Sequence, residues 1–108
     1  MNAYPVCEFS PWYHGSPLSL SVLAAGSTVT QWRALAEAFS HKPSRLAYDS
    51  ILGAIAHDGV LPGRLYVLDE PVILGTDLRP HPRTSMDPGV EWLTTRPLQL
   101  RLIAANAP

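Results

Sequence analysis

The sequence has a single cysteine, a single lysine and no long apolar run. Cys7 stands alone among 108 residues, which excludes an intrachain disulfide and a metal site built from several thiolates. We expect it to be a small buried hydrophobe. No basic segment precedes an apolar stretch near the start, and no apolar run reaches the roughly 20 residues of a membrane span. These absences predict a cytoplasmic protein with no signal peptide and no membrane partner.

Charge of one sign is also lacking. Eight basic residues face nine acidic ones, for a formal net charge of -1, so the overall field gives no reason to expect nucleic acid or acidic membranes as partners. Hydrophobic residues make up 46% of the chain, enough for one core. We therefore predict one domain over residues 1–108, with residues 1–11 as an extended N-terminal arm.

Prolines and glycines, by contrast, are frequent, and they divide the chain into short elements. Eleven prolines and seven glycines mark turns along the sequence. In the first third we predict short strands near Val6–Phe9, Trp12–His14 and Ser27–Thr30, with a loop over Ser16–Gly26.

One amphipathic helix is predicted after the third of these strands. Trp32, Leu35, Ala36 and Phe39 recur at helical spacing. Thr30 is a candidate N-cap, and the helix should end near residue 41 because a proline stands at position 43.

The remainder of the chain predicts strands. A long loop over Ile73–Pro88 separates them, and a turn is expected over "AHDGVLPG". The predicted strands are "RLAYDSI", "RLYVLD", "VEWLTT" and "LQLRLI". In the last of these, Leu98, Leu100 and Leu102 share one face. The sum is a compact α+β fold, mostly antiparallel β-sheet with one clear helix.

Common motifs of catalysis are missing. There is no glycine-rich phosphate loop and no nucleophile elbow of the Gly-x-Ser-x-Gly type. The four histidines lack metal-ligand spacing, so we expect no metal; they are His14, His41, His57 and His81.

Three short segments remain, in a definite order. They are "WYHGS" at a strand end, "GSTVT" running into a helix, and "GVEWLTTRPLQLRLI" with Glu91 at a strand start. This order resembles the ADP-ribosyltransferase superfamily, in particular its small rifampin-ADP-ribosyltransferase-like and toxin-like members. "YHGS" is the most specific part of the resemblance, which covers roughly residues 12–104.

The resemblance implies a split-sheet ADP-ribosyltransferase-like fold and NAD as the substrate. In such proteins His14 and Gly15 would hold the nicotinamide-side ribose and the amide, and Tyr13 would stack on the nicotinamide ring. Glu91 would bind the other ribose hydroxyl and stabilise the developing cation. The cofactor-binding set implied is Tyr13, His14, Gly15, Thr28 and Thr30, and the catalytic pair is Glu91 and His14.

The chain also departs from the family pattern. The second segment, Ser27–Thr30, carries hydroxyl groups but no stacking tyrosine, unless Tyr48 in "RLAYDS" supplies one. Position 89 is glycine, where toxin-like transferases have an acidic residue or glutamine that binds the acceptor side chain. The ADP-ribose acceptor is therefore open: a protein, a nucleic acid, a small molecule or water.

Each of these residues also has an ordinary structural interpretation. Histidines in small domains are often packed, threonines favour strands, His41 suits a helix C-terminus, and Arg33 suits a solvated helix face. Arg79, His81 and Arg83 of the long loop are further candidates for a diphosphate or an acceptor. The alternatives to a transferase are an NAD glycohydrolase on the same fold and a non-catalytic module that binds an inhibitory or effector protein. An RNA 2′-phosphotransferase is less favoured because no basic cluster is evident.

Overall fold

A computed structural model describes residues 5–7, 9–49, 52–84 and 86–107. These residues form nine strands and one helix in chain order. The strands are β1 Tyr13–Ser16, β2 Val22–Leu23, β3 Thr28–Val29, β4 Leu46–Asp49, β5 Ala54–His57, β6 Gly63–Leu68, β7 Leu78–Pro80, β8 Trp92–Thr94 and β9 Leu98–Asn106, and the helix is α1 Arg33–Ser40.

The strands divide into three separate sheets. Four strands are ordered β1-β6-β9-β2, three are ordered β3-β8-β7, and β4 pairs with β5. Every strand pair in these sheets is antiparallel. The Cα radius of gyration is 13.0 Å, close to the roughly 13 Å expected of a compact domain of 100 residues. The predicted class, a compact and mostly antiparallel split β fold with one helix, is confirmed.

Two hydrophobic clusters hold these sheets together. The larger lies between the four-stranded and three-stranded sheets and contains Trp12, Leu23, Val29, Tyr66, Leu78, Leu98 and Leu100. The smaller joins the helix to the β4–β5 hairpin and is centred on Trp32, Leu35 and Val90. Strand β9 buries Leu98 and Leu100 as its alternation predicts, but Leu102 is half exposed, at 51%. The register between β6 and β9 shifts between Leu65 and Tyr66, which ends the simple alternation.

The helix is shorter than predicted and is not capped by Thr30. Its N-cap is Trp32, which makes no side-chain capping bond, and its last residue is Ser40, with His41 as the C-cap near the predicted end. Thr30 lies two residues earlier, where its Oγ1 accepts a hydrogen bond from the Trp32 N–H at 3.1 Å. The hydroxyl therefore shapes the entry to the helix from a strand-like position.

Three other local predictions are wrong, and a fourth holds in part. The strand near Val6–Phe9 is absent at its described residues, of which Glu8 is not one. The predicted turn over 56–63 begins inside β5, but its residues 58–62 form no strand. The loop over Ser16–Gly26 contains β2, and the long loop contains β7. Such short strands form through their partners, because two or three residues are too few for a period-two pattern.

Cys7 also differs from its expected burial, since it is exposed. Its backbone N–H and C=O are both bonded to the side-chain amide of Gln31. The N-terminal segment is thereby tied to the segment between β3 and the helix.

Candidate functional site

A cavity of about 270 Å³ lies where β1 and β3 meet the helix. It is lined by Tyr13, His14, Gly15, Thr28, Val29, Thr30, Ala36, Phe39 and Glu91. All six residues that the sequence assigned to a site are in this set. The three segments that carry them are separated along the chain, and the fold brings them to one place.

The cavity originates in a seam between two sheets. Tyr13 and Thr30 exchange both backbone hydrogen bonds, with N···O distances of 2.7 and 3.0 Å, and this is an isolated bridge. The next antiparallel pair along the seam would be Gly15 with Thr28, and it does not form a bridge. Beyond Tyr13 and Thr30 the two strands therefore diverge and leave a cleft.

The strand parity directs the backbone of Gly15 into this cleft. In an antiparallel strand, residues two apart point their N–H and C=O groups toward the same edge. Tyr13 uses that edge to pair with Thr30, whereas Trp12 bonds on the opposite side, accepting from the Leu68 N–H at 3.0 Å. The N–H and C=O of Gly15 consequently face the seam and not β6.

Packing against the helix, and not the approach of a ligand, explains why position 15 is a glycine. A Cβ at this position would lie 1.7 Å from the carbonyl oxygen of Ala36. No side chain fits between β1 and the helix here, so glycine is required by packing. The glycine lets the helix approach, and the helix in turn closes one wall of the cavity.

His14 crosses the seam with its side chain. Its Nδ1 lies 2.8 Å from the carbonyl oxygen of Thr28. A carbonyl only accepts, so Nδ1 carries the hydrogen, and in the neutral ring Nε2 is then an acceptor. Burial lowers the pKa of the imidazole below its ordinary value of 6.5, and the bond to Thr28 opposes this shift without cancelling it. The neutral ring is thus favoured near neutral pH.

Glu91 immediately precedes β8 and enters the cavity from the other sheet. Its Oε1 accepts a short hydrogen bond from the Thr84 hydroxyl. Its backbone carbonyl accepts from the His81 N–H at 3.1 Å, which continues the pairing of β7 with β8. The β3–β8 register, Val29 with Trp92, places Glu91 opposite Thr30.

Thr28, in β3, and Thr30, which follows it, also line the cavity, and each has a structural role. Thr28 is bonded through its carbonyl oxygen to His14. Thr30 is 1% exposed, and its hydroxyl oxygen accepts from Trp32. Both threonines line the cavity, as the predicted site requires. The hydrogen bonds that they make, however, stabilise the seam and the entry to the helix.

The aromatic part of the site comes from two residues. Tyr13 lines the cavity, and the guanidinium carbon of Arg33 lies 6.0 Å from its ring centroid. Arg33 also pairs with Glu37 at 3.3 Å on the exposed helix face. Phe39 supplies a second aromatic wall from the last turn of the helix.

Three lining residues were not recognised as site residues from the sequence: Val29, Ala36 and Phe39. Ala36 and Phe39 belong to the apolar helical stripe, and such a stripe by itself indicates core packing. Only the spacing of the strands shows that part of the stripe borders a cleft.

Several other candidates lie away from the cavity. Tyr48 packs against Trp32, with ring centroids 5.6 Å apart, and its hydroxyl accepts from the Asp87 N–H. His41 is the C-cap of the helix, and its Nδ1 donates a hydrogen bond to the Leu61 carbonyl oxygen at 2.7 Å. Arg79 and Arg83 are exposed and do not line the cavity.

Among the described residues, no group of three or more histidine, cysteine or acidic side chains is placed to hold a metal ion. In that same part of the chain, no helix has the length and apolarity needed to cross a bilayer.

Comparison of the chain with models of protein families, with curated proteins and with solved structures gives no match.

Proposed function

We propose that the protein is an NAD-dependent mono-ADP-ribosyltransferase whose split sheet is of the ADP-ribosyltransferase type. The observation that carries this function is that residues of "YHGS" and "STVT" line one cavity together with Glu91. These are the same three segments whose order resembles that superfamily.

The size of the cavity favours one part of NAD. At about 270 Å³, it lies just below the range of roughly 300–1,000 Å³ in which drug-sized ligands are buried. We assign it to the nicotinamide ring and the adjoining ribose. The diphosphate and the adenosine half then lie outside it, on the surface.

The nicotinamide would be held by backbone and aromatic groups. The carboxamide of nicotinamide has one donor group and one acceptor, which match the C=O and N–H of Gly15 at the open seam. Tyr13 and Phe39 provide aromatic surface for the ring. This grip fixes the leaving group in one orientation.

The ribose would be bound by His14 and Glu91. The neutral imidazole offers Nε2 as an acceptor for one hydroxyl hydrogen, and the carboxylate accepts the other. The bond between nicotinamide N1 and ribose C1′ breaks, and its electron pair leaves with neutral nicotinamide. The ribose becomes cationic, and the Glu91 carboxylate stabilises that charge in the partly enclosed site.

The acceptor completes the reaction. Its nucleophilic atom forms a bond to C1′ and loses a proton to the solvent or to a neighbouring base. Water as acceptor makes the protein an NAD glycohydrolase, with the same residues in the same roles.

Nicotinamide release, followed by chromatography, tests this function. Wild type is incubated with NAD and candidate acceptors beside Glu91→Gln, which keeps the shape of the side chain and removes its charge. Asp69→Asn is the matched control, because Asp69 is 55% exposed and its ion pair with Arg101 lies away from the cavity. We expect Glu91→Gln to lose about 100-fold or more of the release rate, and Asp69→Asn to retain it.

Calorimetric titration of NAD into the same samples separates the alternatives. Binding to wild type that weakens in His14→Ala, without any release of nicotinamide, would point to a missing acceptor or effector. No binding of NAD, together with saturable binding of a protein partner that survives His14→Ala, would favour the non-catalytic module. Release from wild type no faster than from Glu91→Gln would contradict the enzyme.

A further inference from the structure

We propose that Thr84 is a positioning residue for Glu91, which rests on the proposed function of Glu91. Thr84 lies in the long segment between β7 and β8, seven residues before the glutamate. The sequence offers Arg79, His81 and Arg83 of this segment as candidates, but not Thr84. The side chain touches the carboxylate and does not line the cavity.

The direction of the hydrogen bonds at Thr84 is determined. The Met86 N–H donates to Thr84 Oγ1 at 3.1 Å. The hydroxyl hydrogen is therefore directed at Glu91 Oε1, which as a carboxylate oxygen can only accept. The chain of bonds runs from a backbone amide through the hydroxyl to the carboxylate, and hydrogen bonds in such a series strengthen one another.

The backbone around Thr84 is held at both ends. On one side the His81 N–H donates to the Glu91 carbonyl oxygen. On the other side the Asp87 N–H donates to the hydroxyl of Tyr48 at 2.7 Å. Val90, which follows, is completely buried in the smaller hydrophobic cluster. Residues 81–84 and 86–90, here called the strap, are thus anchored beside the start of β8, and Thr84 belongs to them.

The bond from Thr84 involves only one of the two carboxylate oxygens of Glu91. Thr84 holds Oε1, so Oε2 is the oxygen that this bond leaves to a ribose hydroxyl. A glutamate side chain has three rotatable torsions, and fixing one oxygen removes most of that freedom before the substrate arrives. Because the charge on the ribose develops only in the transition state, the benefit appears mainly in kcat and much less in KM.

The test uses two substitutions at Thr84 and one at Thr76, which lies just before β7. Thr84→Val keeps the shape and removes the hydroxyl, whereas Thr84→Ser keeps the hydroxyl. Thr76→Val is the control, since Thr76 is exposed and lies outside the strap. We expect kcat for nicotinamide release to fall about 10- to 100-fold in Thr84→Val, with KM for NAD within about twofold of wild type. Thr84→Ser should restore most of the rate, and Thr76→Val should leave it unchanged.

A second measurement makes the result independent of turnover. In protein labelled with ¹³C at glutamate Cδ, the Glu91 resonance is assigned by its loss in Glu91→Gln. It should shift in Thr84→Val and stay near its wild-type position in Thr84→Ser. If wild type shows no NAD turnover, the enzyme function fails, and the Glu91 resonance alone decides whether Thr84 holds the carboxylate. An unchanged resonance in Thr84→Val, or an equal loss of kcat in Thr84→Ser, would overturn the positioning role.

Discussion

His14 Nδ1 lies 2.8 Å from the carbonyl oxygen of Thr28, at the point where the next backbone pair between β1 and β3 would have formed. The imidazole of His14 thus makes a hydrogen bond across the seam where the two strands make no backbone pair. The seam remains connected across the cleft, and Gly15 keeps its N–H and C=O directed into it.

The first prediction concerns the pH dependence of stability. Because burial holds the pKa of His14 below 6.5 in the folded protein, the unfolded chain binds more protons between the two pKa values. Stability should therefore rise with pH across this window, and the cost of protonating His14 is fully present below the folded pKa. We expect the free energy of unfolding, measured with urea, to fall as the pH decreases from 7.5 through this window.

His14→Gln should lack this part of the pH dependence, because the amide does not titrate. The carboxyl groups whose pKa values are lowered titrate below this window, from ordinary values of 3.8 for Asp58 and Asp77 and 4.5 for Glu70. His81→Gln serves as a control histidine on the strap. Identical slopes in wild type and His14→Gln would show that burial of His14 does not control the transition.

The second prediction concerns Gly15. Alanine at this position would place its Cβ 1.7 Å from the Ala36 carbonyl oxygen, and a backbone atom cannot turn away as a side chain can. We expect Gly15→Ala to destabilise the protein by about 2 kcal/mol or more, because the helix must move off β1. Urea unfolding measures this directly, with Ser16→Ala as the neighbouring control in β1.

A loss of NAD binding in Gly15→Ala would thus report on packing and not on a ligand contact. If Gly15→Ala is as stable as wild type, the close approach of the helix to β1 is wrong.

The third prediction concerns Phe39, which the sequence places on the apolar stripe of the helix. Phe39 lines the cavity, whereas Leu46 packs against the same hydrophobic cluster without lining it. Phe39→Ala and Leu46→Ala should both reduce stability. Only Phe39→Ala should also raise KM for NAD, by about 2- to 10-fold, since an aromatic contact contributes roughly 0.5–1.5 kcal/mol beyond the area that it buries.

Steady-state kinetics at a temperature where both variants remain folded distinguishes the two effects. An equal rise of KM in Phe39→Ala and Leu46→Ala would mean that NAD binding is weakened by any loss of packing in the smaller hydrophobic cluster. Phe39 would then have no particular role in binding the nicotinamide.

The residues of the candidate site were named through a family resemblance that rests on three short, ordered segments. His14, Gly15, Thr28, Thr30 and Glu91 were selected from the sequence, and the strand order places them around one cavity. The reason for Gly15 could not be predicted, because the contact with Ala36 depends on how closely the helix packs on β1. Thr84 could not be predicted either, since its segment has no periodicity and its partner is seven residues away.

The elements that the sequence did not predict share a physical cause. β2 and β7 have two and three residues, and β5 ends directly before Asp58-Gly59, which indicates a turn. Their backbone bonds are made with strands that are distant in the sequence or across a hairpin, so local patterning carries little information about them. The helix was found because its apolar spacing is local.

The seam at Tyr13 and Thr30 has a consequence for the discovery of ligands. Its two sides belong to different sheets, joined at that point by one backbone bridge. A molecule that occupies the cleft contacts both sheets and opposes their separation, so binding adds to the resistance of the protein to heat. At a free concentration 100 times its Kd, a ligand of the folded state alone contributes about 2.7 kcal/mol. A thermal-shift screen of nucleotides and their fragments would thus detect the occupant of the cleft whatever reaction follows.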